Sequence, residues 1–171
     1  LMSGTIDRVD ICENGTDVYV RIIDYKTGKK DFNIVKTYYG IDIQLMVYME
    51  AAMKLVAKMR PGKNVIPAGV FYYNISDPIV SATTESAEEI EDKIKGELRL
   101  KGMVNSDKDI AEKMDNTEGT SLNIPVSRKA DGGFDSRRSK VMNTEQFNML
   151  GRFVDVRMVD TADRIAGGDI R

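Results

Sequence analysis

Two strand-like segments joined by an Asn-Gly step constrain the fold of this chain more than any other feature. Residues 5–11 and 17–26 are rich in β-branched residues. Asn14-Gly15 lies between them, and Asn-Gly is the strongest short signal for a two-residue hairpin turn. The sequence therefore predicts an antiparallel β-hairpin near the start of the chain.

The predicted hairpin places charged side chains together on one face. If Asn14-Gly15 is the turn, Glu13 lies opposite Thr16 and the pairing of all the other residues follows. Asp7 and Asp24 are then diagonal neighbours on one face, with Cβ atoms roughly 6–8 Å apart. Lys26 follows Asp24 by two residues and points to the same face. The rest of that face is apolar, so we expect it to face the core.

Two neighbouring carboxylates suggest a metal site. Ionised carboxylates that lie close together in a partly buried place repel each other, and a divalent cation relieves the repulsion. Oxygen ligands that leave positions open for water suit Mg²⁺ or Mn²⁺. Lys26 could then orient or deprotonate an attacking water, or stabilise a developing phosphorane. From these three residues alone, a salt-bridge network at the sheet edge explains the pattern equally well.

The composition excludes several other kinds of chemistry. The 171 residues include no histidine and one cysteine, which excludes His-based zinc sites, a histidine general base and an internal disulfide. The net charge of −2 argues against binding nucleic acid or anionic membrane through bulk charge alone. No apolar run approaches the ~20 residues that a membrane span needs. The available chemistry is therefore that of carboxylates, lysine, hydroxyls and a hard metal ion.

The rest of the chain alternates helical and strand patterns, which predicts an α/β fold with helices flanking a small mixed sheet. A long amphipathic helix is expected over residues 39–59. A strand buried on both faces follows over 65–75. Ser86 begins a capping-box pattern that predicts a helix reaching about residue 100.

We expect residues 1–171 to form a single domain with its core in residues 4–100. The polar segment 102–123 predicts a long mobile loop with a marginal helix near residues 110–114. A C-terminal helix is expected over about 144–166. The abrupt first and last residues are typical of a piece cut from a longer cytoplasmic protein.

Three short motifs occur in a fixed order along the chain. They are a GxxD segment at residues 4–7, Asp-Tyr-Lys-Thr at residues 24–27 and a QxxxY segment at residues 44–48. Together they resemble the RecB-like branch of the PD-(D/E)XK nucleases, and most closely the C-terminal nuclease domain of AddB-type helicase–nuclease subunits. The segment 124–127 and the closing helix are also similar, so the resemblance covers nearly the whole chain.

The resemblance implies a restriction-endonuclease-like core that hydrolyses DNA phosphodiesters during double-strand break repair and recombination. It implies that Asp7, Asp24 and the backbone carbonyl of Tyr25 hold Mg²⁺ or Mn²⁺, and that Lys26 is the catalytic lysine. Gln44 and Tyr48 would help to hold the site and the nucleic-acid strand. Since Tyr48 also falls on the apolar stripe of its helix, core packing is its more ordinary role.

The resemblance also implies partners and a second cofactor. The substrate would be a single DNA strand fed by a helicase, and the partner would be a subunit of AddA type. An iron–sulfur cluster is expected in the full-length protein, but its cysteine ligands are absent from this chain, as is the histidine that usually completes the metal site. Both absences fit a chain that was cut inside the two flanking elements.

Several basic residues are candidates for contacts with the DNA backbone. Lys29 and Lys30 directly follow the Asp-Tyr-Lys motif. Arg137 and Arg138 belong to a basic cluster in residues 128–140, which an ordinary solvated loop explains as well.

Two other functions compete with that of a nuclease. A non-catalytic module could use the same fold to bind a DNA end or to support a partner protein, but the intact Asp7, Asp24 and Lys26 argue against it. A glycoside hydrolase with paired carboxylates would explain neither Lys26 nor the pairing of Gln44 with Tyr48.

Overall fold

The computed structural model describes residues 4–75 and 86–169, and its centre is a mixed sheet of five strands in the order β1-β2-β3-β4-β5. The strands are β1 (Arg8–Asn14), β2 (Asp17–Lys26), β3 (Asn64–Asn74), β4 (Lys101–Asn105) and β5 (Val141–Met142). β1–β2 and β3–β4 are antiparallel pairs, whereas β2–β3 and β4–β5 are parallel pairs. The expected α/β fold with a mixed sheet is confirmed.

Helices cover both faces of this sheet. In the described ranges they are α1 (Ile34–Tyr38), α2 (Gln44–Met59), α3 (Ala87–Leu98), α4 (Lys108–Met114) and α5 (Thr144–Ala166). The larger apolar cluster joins α2 and α5 to one face of β2 through residues such as Ile22, Leu45 and Phe147. A smaller cluster, which includes Phe71 and Ala111, lies on the other face of the sheet. Within the described ranges, no helix has the length and apolarity needed to cross a bilayer.

The predicted hairpin is present, but its register differs by two residues. Asn14 pairs with Asp17, so Gly15 and Thr16 form the turn in place of Asn14 and Gly15. Gly15 has φ of 60°, and a glycine in the first central position with positive φ is the pattern of a type II′ turn. Since a shift of two preserves the side-chain faces, Asp7 and Asp24 still share a face. Arg8 pairs with Ile23, so continuing the same register by one residue places Asp7 directly opposite Asp24.

The expectation that both strands of the hairpin face the core is wrong for β1. Val18 and Val20 of β2 are fully buried, whereas Val9 and Ile11 of β1 are 38% and 42% exposed. β1 is the edge strand of the sheet, and α2 packs over β2 and β3. The helix layer therefore covers the second strand of the hairpin and leaves the first one at the surface.

The helix expected over residues 39–59 is shorter at its start. Gly40 has φ of 76° and separates α1 from α2, which begins only at Gln44. It ends at Met59, as expected, with Arg60 as its C-cap. The strand expected over 65–75 is confirmed as β3, and most of its residues are buried.

The segment 102–123 is not the expected mobile loop. β4 pairs with β3 inside the sheet, and α4 follows it. The polar residues that suggested a loop form buried contacts or caps. Asn105, which is 1% exposed, donates hydrogen bonds to the carbonyl of Pro67 and to the hydroxyl of Thr144. Asp107 caps α4 by accepting from the N–H of Asp109.

Helices α3 and α5 begin where their capping boxes predict. Ser86 and Glu89 form a capping box at the start of α3, and Asn143 and Gln146 form one at the start of α5. α5 has the expected bounds, whereas α3 ends at Leu98. No residue of α3 is fully buried.

Asp115 organises the turn that follows α4. Its carboxylate accepts hydrogen bonds from the backbone of Thr117 and from the side chains of Ser121 and Asn123. Burial by itself raises the pKa of Asp115, but these hydrogen bonds outweigh burial and lower it to about 2. The ionised form of Asp115 therefore stabilises the fold.

Replacing Asp115 by asparagine is expected to reduce the free energy of unfolding by about 2 kcal/mol at pH 7. Because the pKa in the folded state lies below that in the unfolded chain, this contribution is complete above pH ~4 and is lost as the pH falls toward ~2. Urea unfolding of wild type and Asp115→Asn at a series of pH values measures it. Asp160→Asn, on the exposed side of α5, is the matched control. A difference that does not change with pH would contradict this role.

Candidate active site

The site residues meet where β2 ends and α2 begins. Asp24 and Lys26 lie at the carboxyl end of β2, and Gln44 and Tyr48 lie in the first turns of α2. α2 packs over β2 and β3, so its first turn faces the end of β2. Residues that are far apart in the sequence are therefore brought together by the packing of one helix on two parallel strands.

A closed set of contacts joins Asp24, Lys26 and Gln44. The ammonium of Lys26 lies 2.6 Å from Oδ2 of Asp24 and donates to Oε1 of Gln44 at 2.9 Å. Nε2 of Gln44 donates to Oδ1 of Asp24 at 3.3 Å and to the hydroxyl of Tyr48 at 2.9 Å. Gln44 thus orients both the acid and the lysine, and Tyr48 orients Gln44.

Asp7 approaches the same strand end from the other side. Its Oδ2 accepts a hydrogen bond of 2.9 Å from the backbone N–H of Tyr25. The Asp7 side chain is exposed, whereas Asp24 is only 2% exposed. The backbone of Tyr25 therefore lies between one buried and one solvated carboxylate.

The oxygen atoms at this place suit a hard divalent cation. Oδ2 of Asp24 is buried and accepts no hydrogen bond of acceptable geometry from any described residue, although it forms the ion pair with Lys26. A buried carboxylate charge is costly unless a cation offsets it. Lys26 offsets it in this structure, and a bound metal ion would offset it further. Among residues 4–75 and 86–169, no cluster of three Asp, Glu, His or Cys side chains could hold a metal. Two carboxylates and a backbone carbonyl would leave coordination positions for water and phosphate.

A second polar cluster adjoins the site, and sequence reasoning missed it. The Tyr72 hydroxyl donates to Oδ1 of Asp42 at 2.7 Å, and the Lys30 ammonium lies 3.2 Å from Oδ2 of Asp42. The ammonium groups of Lys26 and Lys30 lie 5.6 and 5.5 Å from the centre of the Tyr72 ring. Burial, and then the hydrogen bond to Asp42, raise the pKa of Tyr72 far above its usual range. The sequence offers one signal for this cluster. Tyr72 lies in a strand expected to be buried on both faces, and a buried hydroxyl needs a hydrogen-bond partner.

A cavity of about 410 Å³ beside the end of β2 is lined by more basic than acidic side chains, and its two carboxylates are Asp31 and Glu97. Lys29, Lys30 and Arg138 line it, together with Lys101 and Lys140. The structure therefore brings three of the four basic residues expected from the sequence to one place. Arg137 is exposed and does not line this cavity.

Comparison with known proteins identifies relatives along almost the whole chain. Residues 1–168 match the family described as the PD-(D/E)XK nuclease superfamily. A protein of Thermoanaerobacter sp. (strain X514) is 38% identical over 98% of this chain, and one of Caldanaerobacter subterraneus is 41% identical over the same share. A protein of Clostridium botulinum is 37% identical, again over 98% of the chain.

Each of these three relatives is named as a subunit of an ATP-dependent helicase/deoxyribonuclease. These relatives are much longer proteins, and the chain spans only 14% to 15% of their length. The similarity therefore concerns one part of each relative, and the family match over residues 1–168 spans the end of β2 and the start of α2.

Proposed function

Because the chain belongs to the PD-(D/E)XK nuclease superfamily, we propose that it is the metal-dependent deoxyribonuclease domain of a helicase–nuclease subunit. The observation that carries this proposal is the buried Oδ2 of Asp24, which lacks a hydrogen bond and lies beside Lys26. The reaction is hydrolysis of DNA phosphodiester bonds in double-strand break repair and recombination. The word deoxyribonuclease in the names of the relatives supports this choice of substrate.

Asp7, Asp24 and the backbone carbonyl of Tyr25 would hold the metal, for which Mg²⁺ and Mn²⁺ are the suitable ions. A hard divalent cation bound there supplies a Lewis acid that activates water and neutralises charge on the phosphate. Asp7 is already fixed by the N–H of Tyr25. Asp24 is fixed by Gln44, so both carboxylates are oriented before a cation binds.

Lys26 is the residue that would act on the reacting groups. Its side chain is 29% exposed, so the ammonium can reach a substrate while Asp24 and Gln44 hold it. From this position it can orient the attacking water or stabilise negative charge that develops on the phosphate. Gln44 and Tyr48 would keep the ammonium in place and would not themselves exchange protons.

The strand of DNA would pass through the basic cavity beside β2. Lys29, Lys30 and Arg138 line that cavity and would contact phosphates on the strand next to the cleaved bond. The small net charge of −2 fits an assembly in which other parts do most of the DNA binding. Arg137 lies outside the cavity, and its contact with DNA stays a prediction from the sequence.

The remaining parts of the proposal concern the longer protein. The substrate would be a single strand delivered by a helicase, and the partner would be an AddA-type protein in the cytoplasm. The word helicase in the names of the relatives supports a motor in the same assembly. An iron–sulfur cluster would be held by cysteines outside this chain, whose single cysteine, Cys12, is exposed on β1.

Calorimetric titration of the full-length protein with Mn²⁺ tests the metal site. Wild type is expected to bind Mn²⁺, and Asp24→Asn is expected to weaken that binding at least about tenfold because it removes the buried charged ligand. Asp7→Asn should weaken it in the same direction. Asp160→Asn is the control, since Asp160 is exposed on α5. Equal binding by wild type and both variants would favour the non-catalytic module instead.

A further inference from the structure

We propose that Asp42 and Tyr72 are positioning residues that hold the ammonium of Lys30 against a DNA phosphate next to the catalytic lysine. The inference rests on the proposed function, since it assumes that a DNA strand occupies the basic cavity beside β2. Neither Asp42 nor Tyr72 belongs to the three motifs of the sequence. Both are nevertheless buried beside Lys26 and Lys30.

Asp42 has two different partners, one for each carboxylate oxygen. Oδ1 accepts from the hydroxyl of Tyr72 at 2.7 Å, and Oδ2 lies 3.2 Å from the ammonium of Lys30. The Asp42 side chain is 5% exposed, so its charge is shielded from water on nearly all sides. A buried charge of this kind needs a fixed partner, and Lys30 is its cationic partner among the described residues. The direction of the ammonium is thereby fixed as well.

The backbone of Lys30 is held as firmly as its side chain. The side-chain amide of Asn74 accepts from the N–H of Lys30 at 3.0 Å and donates to its carbonyl at 3.1 Å. Asn74 and Tyr72 are both on β3, which pairs with β2. The segment after β2 is therefore attached to the sheet at Lys30, whose ammonium also contacts Asp42.

Lys30 keeps the capacity to bind an anion although it is paired with Asp42. An ammonium has three donors, and Asp42 and the face of the Tyr72 ring occupy only part of its surroundings. The side chain of Lys30 is 42% exposed and lines the cavity of about 410 Å³. Lys29 and Arg138 line the same cavity. A cation that is oriented in advance loses less conformational freedom when it binds a phosphate.

The Tyr72 ring also links the two lysines. Its centre lies 5.6 Å from the ammonium of Lys26 and 5.5 Å from that of Lys30. The hydroxyl of the same ring donates to Asp42 at 2.7 Å, which fixes the orientation of the ring. Two successive phosphates of a DNA strand would thus contact Lys26 and Lys30, and the Tyr72 ring would set the distance between the two ammonium groups.

A double-mutant cycle in the full-length helicase–nuclease tests the proposal, with KM and kcat measured on a short single-stranded oligonucleotide. Lys30→Gln is expected to raise KM about tenfold, because one charge-assisted contact is lost. Tyr72→Phe keeps the ring and removes the hydroxyl, so it should raise KM about threefold with a small effect on kcat. In the Lys30→Gln background Tyr72→Phe should have no further effect on KM. Lys30→Arg keeps the positive charge, so its KM should be much closer to that of the wild type than the KM of Lys30→Gln.

Asp42→Asn separates positioning from simple neutralisation of charge. Removing a negative charge beside DNA would by itself lower KM. Loss of the ion pair that orients Lys30 would instead raise KM. We expect the second effect to dominate and KM to rise about threefold. Lys58→Gln, at an exposed position of α2, is the control that leaves KM unchanged. A lower KM for Asp42→Asn, or an undiminished effect of Tyr72→Phe without Lys30, overturns the proposal. Absence of metal-dependent cleavage in the wild-type protein would instead refute the proposed function.

Discussion

Replacing Lys26 by alanine is expected to lower the rate constant for DNA hydrolysis by the full-length protein about 10²–10⁴-fold. The ammonium lies at 2.6 Å from Asp24 and at 2.9 Å from the oxygen of Gln44, and no other cation contacts Asp24 in the described residues. Its removal takes away the positive charge that faces the developing phosphate charge. Single-turnover cleavage of a labelled strand in the presence of Mg²⁺ measures the effect.

A loss of activity in Lys26→Ala is informative only if the metal site survives. Lys26 is not a ligand in the proposed site, so Mn²⁺ binding should be kept or strengthened when its charge is removed. Asp24→Asn should instead lose both activity and Mn²⁺ binding. Lys58→Ala, which removes an exposed lysine of α2, is the matched control for activity. Unchanged cleavage by Lys26→Ala would show that the lysine of the site has been misassigned.

Replacing Gly102 by alanine is expected to reduce the free energy of unfolding by about 3 kcal/mol or more. A methyl group at Gly102 would overlap the carbonyl oxygen of Val70 and would lie 2.8 Å from Cα of Phe71. These are backbone atoms of β3, and they cannot move without disturbing the paired strands on either side. Thermal unfolding should show a midpoint lower by roughly 6–12 °C.

Gly96 provides a matched control for this substitution. It lies within α3, and a methyl group there would meet no atom within 4 Å. Gly96→Ala should therefore stabilise the chain by roughly 0.5–1 kcal/mol, because alanine loses less backbone entropy in a helix. Similar effects at the two positions would contradict the close approach of β4 to β3.

The local pattern of the sequence predicts those parts of the site that depend on side-chain direction alone. Asp7 and Asp24 share a face in both the expected and the observed register, because a shift of two residues does not change the face of a strand. The spacing of Gln44 and Tyr48 likewise survives the shorter helix, since both residues lie inside α2.

Other parts depend on contacts between distant segments, which no local pattern reveals. The polar residues near Asn105 suggest a loop because their partners, such as Pro67 and Thr144, are remote in the sequence. Asp42 lies in the segment between α1 and α2, and its partner Tyr72 lies thirty residues further on, in β3. Such a pairing becomes visible only once the sheet has been assembled.

The exposed edge formed by β1 affects how copies of this chain behave when they meet. An edge strand with apolar residues can pair with the edge of another molecule, which leads to aggregation. In β1, Val9 and Ile11 alternate with the charged residues Arg8 and Asp10. Arg8 forms an ion pair with Asp10, and Asp10 forms a second one with Arg21 of β2. Charges along an edge disfavour the addition of a further strand. The ion pairs of β1 therefore disfavour pairing with a strand of another molecule, although they contribute little to the stability of each one.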